Sequence, residues 1–341
     1  RQMCIRDSRY TVESGYNDSN GISIGANALW DNSSSTISDP AGNIPDNLTH
    51  SAVSDNDSVK VDTTLPTLNS VAITGAQGDQ NSFVNAGDNV SVTATFSEAV
   101  IVASGTPRLT LAVGSDNLTA TYTSGDNSTE LVYRYTVQSG DNDSNGISIG
   151  ANALDNNSST IRDAALNNAI LTHSAVSANN GYIVDTTPPT VNSVAITSAN
   201  GIQNNFLNAG DNVSVTATFS EGAPSAVIVE SGTAELTIVV GSDNRTASYA
   251  SGSGTTVSGS GNASLDFRYT IQATGTSGEN DDDGISIGAN ALNSNSITIR
   301  DPAGNIADNL THSAVSDNSS VKVDTILPSV DNFTMNDREI K

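Results

Sequence analysis

Cysteine is nearly absent from the 341-residue chain, in which Cys4 is the only example. It lies in the segment RQMCIRDS, residues 1–8, which matches nothing later in the sequence. The last seven of these residues correspond to a translation of a transposon-end adapter used in sequencing libraries. We therefore interpret residues 1–8 as an assembly artefact and exclude them from fold reasoning. The rest of the chain is free of cysteine, which excludes disulfide bonds and thiolate zinc sites.

Lysine is also scarce, since Lys60, Lys322 and Lys341 are the only three beside 37 acidic residues. The formal net charge is −24 and the isoelectric point is near 4.1. Such a surface repels phosphate backbones, so we expect no nucleic-acid partner. It attracts divalent cations, although solubility alone also explains most of the carboxylates. Residues 63–185 contain no lysine, which excludes a Lys–Asn isopeptide cross-link there.

Long apolar runs and helical periodicity are missing as well. No run approaches the roughly 18–20 apolar residues that a membrane-spanning helix needs, so we predict no membrane span. Hydrophobic residues instead alternate with period two. In NVSVTATFSE (89–98), Val90, Val92, Ala94 and Phe96 share one face, and runs at 107–114 and 130–138 follow the same pattern. Short alternating strands separated by GSDN and SGDN turns predict an all-β fold of antiparallel β-sandwiches.

Three phrases recur along the chain at long intervals. They are GISIGANAL at 21–29, 146–154 and 284–292, AGDNVSVTATFSE at 86–98 and 209–221, and LTHSAVS around His50, His173 and His312. Repeats of this length indicate whole domains in tandem. We expect residues 9–62 to be the C-terminal half of a truncated unit, 63–185 and 186–324 to be complete units, and 325–341 to begin another. A Gly/Ser-rich hairpin insertion near 251–263 lengthens the second complete unit. On this division, we expect the sequence to be a segment of a longer repeat protein.

The order of these motifs is specific enough to suggest a family. A Val-Asp-Thr linker is followed by AGDNVSVTATFSE, YRYTVQSGDNDSNGISIGANAL, IRDAALN and LTHSAVS. This order resembles the Ig-like, cadherin-like tandem repeats of large bacterial surface adhesins, among them biofilm-associated and RTX-adhesin-like proteins, and it covers the chain from residue 9 onward. The resemblance implies a secreted or cell-surface stalk without enzymatic activity, whose partners are neighbouring repeats. A second hypothesis is a module that binds a glycan or a surface through the loop at 251–263.

Gly146-Ile-Ser148-Ile-Gly150 spells G-x-S-x-G, the nucleophile elbow of serine hydrolases. That elbow requires a strand, a sharp turn and a helix, with an acid and a histidine converging on the serine. Here Ser148 lies in an alternating run, no helical segment follows, and each unit contains one histidine. We predict that Ser148 and its repeat equivalents Ser23 and Ser286 are strand residues, and we disfavour a hydrolase.

Asp141-x-Asp143-x-Asn145-Gly146 resembles the start of a calcium loop, since alternate oxygen ligands in a tight turn can share one hard cation. The third copy has Glu279, Asp281 and Asp283 at these positions. The twelfth position of an EF-hand loop would be Asn152 rather than glutamate, so the segment is not an EF-hand. Two interpretations stay open, namely half of a calcium site and an Asx-rich turn whose side chains cap their own backbone.

The family resemblance also implies calcium between domains, bound by acidic residues of adjoining units. The candidate ligands come from three repeated positions: the linker residues Asp62, Asp185 and Asp324, the strand-end residues Glu98 and Glu221, and the D-x-A-x-N residues Asp163 and Asp301. In that last motif, asparagine follows four residues later as Asn167 and Asn305, and Asp39 with Asn43 forms a further copy. We expect Ca²⁺ near at least one of these groups. The alternative is that the proline-containing linkers are simply stiff connectors.

Overall fold

A computed structural model describes residues 8–30, 37–220, 226–229, 234–252, 263–273, 279–294 and 298–332. Within these ranges the chain is all-β, as the alternation predicts, with 22 strands and no helix. Four segments named above lie wholly or partly outside the described residues. They are residues 1–7, Glu221, residues 253–262 of the hairpin insertion, and residues 333–341.

The strands fall into three groups that follow the repeats. Residues 8–62 contain β1 (Ile22–Ile24) and β2 (Val53–Asn56). Residues 63–185 contain β3 (Leu68–Gln77), β4 (Phe83–Val84), β5 (Asn89–Ala103), β6 (Arg108–Val113), β7 (Asp116–Ser124), β8 (Ser128–Thr136), β9 (Leu154–Asp155), β10 (Thr160–Arg162) and β11 (Ile183–Val184). Residues 186–324 contain β12 (Thr190–Asn200), β13 (Phe206–Leu207), β14 (Asn212–Ser220), β15 (Ile228–Val229), β16 (Glu235–Val240), β17 (Asp243–Gly252), β18 (Ala263–Thr270), β19 (Asn280–Asp281), β20 (Leu292–Asn293), β21 (Ile299–Arg300) and β22 (Lys322–Asp324).

One antiparallel sheet dominates each complete repeat. In residues 63–185, β5 lies between β3 and β8, and the sheet continues through β7, β6 and β9. The far end of β5 leaves this pairing and joins β10 through Ile101–Ala103. Residues 186–324 repeat the order as β12-β14-β18-β17-β16-β20. There the pair β15–β21 corresponds to the pairing of β10 with the far end of β5. Two short parallel pairs, β4–β11 and β13–β22, are an addition that the alternating pattern did not predict.

The predicted inward faces are confirmed. Val90, Val92 and Ala94 are fully buried and Phe96 is nearly so. They belong to a core whose members lie between Leu68 and Val184, while a second core draws its members from Val194 to Val323. Small and β-branched side chains dominate both cores because they pack well on a pleated surface. Each core is therefore built from the residues of one repeat.

The described part of residues 8–62 has no counterpart of the main sheet, which covers the apolar side of the GISIGANAL segment in the later copy at 146–154. Ile22 and Ile24 are 41% and 48% exposed, whereas the equivalent residues Ile147 and Ile149 are 0% and 1% exposed. The local sequence is the same in both copies, so the difference arises from the absence of strands corresponding to β3–β8. Exposed apolar surface of this kind contributes nothing to stability until it is covered.

Candidate metal centre

Glu98 lies on β5 beside the boundary between repeats. β5 pairs with β8 from Asn89 to Thr95, and the register then shifts before Val100. Glu98 falls in the shifted segment but keeps the inward side of the strand. It is half-buried between the buried Phe96 and Val100, whereas Ser97 and Ala99 are exposed.

A tight loop after β10 presents Asp163 next to Glu98. Asp163 is 2% exposed, and its Oδ1 accepts a hydrogen bond from the Asn167 backbone N–H at 2.8 Å. Its Oδ2 accepts a second bond from the Asn167 side-chain amide at 2.8 Å. The same amide donates to the backbone carbonyl of Asp62 at 3.0 Å. Asn167 thus joins the D-x-A-x-N loop of one repeat to the end of the preceding one.

Asp62 completes a group of three carboxylates. One oxygen each of Asp62, Glu98 and Asp163 lies within 4.8 Å of the other two, and this group can hold a metal ion. No other such group of three histidine, cysteine, aspartate or glutamate residues occurs in the described part of the chain. Burial raises the pKa of Glu98, and the charges of Asp62 and Asp163 raise it further. Negative charge is therefore unfavourable here unless a cation offsets it.

The next boundary repeats this arrangement with Asp185, Asp301 and Asn305. The Asn305 amide donates to Asp301 Oδ2 at 2.8 Å and to the Asp185 backbone carbonyl at 2.9 Å. Asp301 is fully buried, and burial raises the pKa of its carboxyl, to which the charge of Asp185 adds. Burial also raises the pKa of Asp185. Glu221, the counterpart of Glu98, lies outside the described residues, so two of the three predicted ligands are placed here.

The copy of the D-x-A-x-N loop in residues 8–62 has the same hydrogen bonds but a different exposure of its aspartate. Asn43 donates to both oxygens of Asp39, as Asn305 does to Asp301, but Asp39 is exposed. There the Asn43 side chain lowers the pKa of Asp39. The exposed Asp39 and the buried Asp301 therefore have carboxyl pKa values shifted in opposite directions, because burial disfavours the ionised form.

The linker aspartates share one local turn. Oδ1 of Asp62, Asp185 and Asp324 accepts a backbone hydrogen bond two residues later, from Thr64, Thr187 and Ile326 at 2.9–3.0 Å. Each aspartate thereby shapes the start of its linker. Asp324 has this turn but belongs to no group of three acidic residues in the described ranges.

Two asparagines that sequence reasoning did not single out also cross the second boundary. The side-chain amide of Asn81 donates to the Pro302 carbonyl at 3.1 Å, and that of Asn85 donates to the Ala303 carbonyl at 2.7 Å. Pro302 and Ala303 are both buried. The sequence feature that could have identified them is the recurrence of this asparagine pair as Asn204 and Asn208 in the next repeat.

The Asp141–Asn145 segment uses its side chains mainly for local bonds. Asp141 Oδ2 accepts from the Tyr135 hydroxyl at 2.5 Å and from the Gln138 backbone at 2.7 Å. Asp143 is buried, and its Oδ1 accepts from the backbone N–H groups of Asn145 and Gly146 at 3.2 and 3.0 Å. These are the bonds that the Asx-turn interpretation describes.

The third copy of this segment is bonded in the same way. Glu279 is buried and accepts from the Tyr269 hydroxyl and, at 2.6 Å, from Arg245 Nε. Asp281 accepts from the backbone of Gly284 at 2.7 Å and of Gly241 at 2.8 Å. Asp283 is exposed beside it. Burial raises the pKa of Asp281, and the Asp283 charge contributes to that shift.

These segments also hold the linkers in place. The Thr186 hydroxyl donates to the Asp141 carbonyl at 3.0 Å, and the Asn142 side chain accepts from the Thr186 backbone at 3.0 Å. The Thr325 hydroxyl donates to the Glu279 carbonyl at 2.8 Å in the same manner. The acidic turn and the linker that follows the repeat are therefore one bonded assembly.

Ser148 lies in a β-bridge with Ala112, where each residue's N–H donates to the other's carbonyl at 2.9–3.1 Å. This agrees with the interpretation of Ser148 as a strand residue.

Both ring nitrogens of His173 are bound to backbone groups. Nε2 accepts from the Ala153 N–H at 2.8 Å, and Nδ1 lies 2.8 Å from the Ser174 carbonyl oxygen. Because Nε2 accepts, Nδ1 carries the proton.

Comparison with protein-family models and with curated proteins finds no match to this chain. Within the described ranges, no helix has the length and apolar character needed to cross a membrane.

Proposed function

We propose that this chain is a non-catalytic, extracellular stalk module of a bacterial repeat adhesin, built from tandem Ig-like units whose boundaries bind Ca²⁺. The observation that carries the proposal is the convergence of Asp62, Glu98 and Asp163 across the boundary at residues 62–63. The carboxylates come from two successive repeats, so an ion bound there connects them.

The donor chemistry supports calcium as the ion. The three candidate ligands are carboxylates, and the chain outside residues 1–8 has no cysteine. Oxygen ligands favour hard cations, and Ca²⁺ accepts irregular sets of six to eight oxygens, including backbone carbonyls and water. A bound Ca²⁺ would offset the repulsion that raises the pKa of Glu98.

The surrounding bonds support a mechanical role. Asn167 joins the first pair of repeats, while Asn305, Asn81 and Asn85 join the second pair. A short linker alone permits domains to pivot. Hydrogen bonds on several sides of the linker, together with an ion, restrict that motion and stiffen a rod.

Thermal melting and calcium calorimetry of the full chain, with Glu98→Gln as the test variant, examine the proposal. We expect Ca²⁺ to raise the melting temperature of the wild type, because a ligand bound only by the folded state adds about 2.7 kcal/mol at a hundredfold excess over Kd. Glu98→Gln should bind one calcium ion fewer. In chelator it should melt no lower than the wild type, because a neutral amide removes the repulsion among the three carboxylates.

Glu130→Gln is the matched control, since it makes the same charge change on an exposed residue of β8. It should leave calcium binding unchanged.

Measuring stability as a function of pH tests the direction of the Glu98 effect. The folded-state pKa of Glu98 is raised, so protonation favours the fold. In chelator, the stability of wild type relative to Glu98→Gln should therefore rise as pH falls from neutral through that pKa. Equal calcium binding by wild type and Glu98→Gln would refute the assignment.

A further inference from the structure

A polar groove lies on the outer face of the main sheet in residues 186–324, away from the repeat boundaries. It encloses about 340 Å³ and crosses β12, β14, β17 and β18. Its lining includes four hydroxyl side chains and two charged ones, those of Thr197, Ser198, Ser214, Thr216, Asp266 and Arg268. A volume of this size falls within the range of small-molecule sites in proteins.

Two β-bulges shape the groove. The register between β12 and β14 shifts between Ile196 and Ser198, which leaves Thr197 as the extra residue. The register between β17 and β18 shifts between Tyr249 and Ser251, which leaves Ala250 as the extra residue. Both extra residues line the groove. Bulges bend a strand and redirect its side chains, and they are frequent beside functional sites.

The polar groups of the groove are held in a chain. Thr216 Oγ1 donates to Asp266 Oδ1 at 2.7 Å and lies 2.9 Å from Thr197 Oγ1. Arg268 lies two residues beyond Asp266 on β18, so both point to the same face, roughly 7 Å apart along the strand. Among the described residues, the Arg268 guanidinium has no hydrogen-bond or ion-pair partner, although the chain carries a net charge of −24.

The preceding repeat supplies an internal comparison. Its β7–β8 pairing has the same bulge, with Thr123 in place of Ala250 and Val132 in place of Asp266. There the Thr123 hydroxyl donates to the Val132 carbonyl at 3.0 Å. Residues 186–324 thus replace a hydroxyl that is bound to the backbone with a methyl group, and an apolar side chain with a carboxylate. The first change adds space and the second adds a charged group at the same spot.

We propose that this groove binds a saccharide through the hydroxyl groups of the sugar. A carboxylate accepts hydrogen bonds from neighbouring hydroxyls, a guanidinium donates to sugar oxygens, and serine and threonine do both. The carboxylate of Asp266 in the same groove disfavours a free inorganic anion. Phe267, whose ring is fully buried beneath the groove, offers no stacking surface. Recognition therefore depends on hydrogen bonds exchanged with water, which predicts a Kd that is roughly millimolar.

Saturation-transfer NMR and calorimetry of the full chain with glucose, galactose, mannose and inorganic sulfate test the site. We expect at least one hexose to bind. The double variant Ala250→Thr/Asp266→Val installs the residues of the preceding repeat, and it should weaken hexose binding at least tenfold. Asp266→Asn, which preserves the side-chain shape, and Arg268→Ala should each weaken it several-fold. Arg134→Ala, at the position equivalent to Arg268 in residues 63–185, is the control and should leave Kd unchanged.

Three results would overturn the proposal. The first is no hexose binding up to about 100 mM, far above the Kd expected for the site. The second is equal hexose affinity in the wild type and the Asp266 and Arg268 variants. The third is binding of sulfate alone, lost in Arg268→Ala and retained in Asp266→Asn, which would identify an anion site. None of these results depends on calcium at the repeat boundaries, so the stalk proposal stands or fails separately.

Discussion

Two tyrosines on β8 have hydroxyl groups in contrasting surroundings. Tyr133 is fully buried, its ring meets Tyr122 edge-on at 6.0 Å, and within the described residues its hydroxyl has no hydrogen-bond partner. Tyr135 is half-buried, and its hydroxyl donates to Asp141. Burial raises the pKa of both hydroxyls. The next repeat has Phe267 in place of Tyr133 but retains Tyr269, whose hydroxyl donates to Glu279.

Tyr133→Phe should stabilise residues 63–185 by about 1 kcal/mol, because an unsatisfied buried hydroxyl costs roughly 1–3 kcal/mol and Phe keeps the ring packing. Tyr135→Phe is the matched comparison and should destabilise, because it removes the hydroxyl donor to Asp141 and leaves only the Gln138 backbone N–H. Hydrogen exchange of the β5 and β8 amides measures both effects within this repeat. A loss of protection in Tyr133→Phe would contradict the expectation.

At the scale of elements, a single turn recurs in every copy of GISIGANAL. Gly146 has φ of 90°, and its N–H donates to Asp143. A Cβ at this position would lie 2.0 Å from the backbone oxygen of Asn179. The turn therefore requires glycine both for its backbone conformation and for the close approach of the following chain segment.

Gly146→Ala should destabilise residues 63–185 by at least roughly 1–3 kcal/mol, the cost of a left-handed non-glycine residue, before the backbone contact is counted. Gly150→Ala is the control, since no atom lies within 4 Å of its Cβ position. Urea unfolding monitored by circular dichroism compares the two variants. Equal midpoints would show that the turn adapts to a side chain.

At the scale of the whole molecule, the side-chain amides of Asn81 and Asn85 join residues 63–185 to the 300–305 loop of the next repeat. Their carbonyl partners, on Pro302 and Ala303, are buried. These bonds do not involve the acidic residues, so they restrict the boundary independently of a metal.

Asn81→Ala/Asn85→Ala should increase the motion between the two complete repeats while leaving their individual stability nearly unchanged. Small-angle scattering and ¹⁵N relaxation, each recorded with calcium and with chelator, measure that motion. Asn204→Ala/Asn208→Ala makes the same changes at the equivalent turn of residues 186–324, where no described repeat follows. The expectation fails if both double variants scatter alike.

The sequence alone determined the all-β class, the inward faces of the strands and the equivalence of the repeats. Alternation is a property of the local chain, and Val90, Val92 and Ala94 share one face wherever β5 is placed. It also named every carboxylate of the boundary group, because Asp62, Glu98 and Asp163 each belong to a recurring phrase. The Asp141–Asn145 pattern was ambiguous, because the same residues can bind a metal or cap their own turn.

Tertiary structure decided which of these groups meet. Glu98 meets Asp163 because the far end of β5 pairs with β10, directly before the Asp163 loop, and the alternating pattern does not predict which strands pair. The contacts of Asn81 and Asn85 join residues more than 200 positions apart. The groove at Asp266 depends on bulges in two strands at once. Contacts between distant segments follow strand register and bulges, whose free energies depend on the packed neighbours rather than on the local sequence.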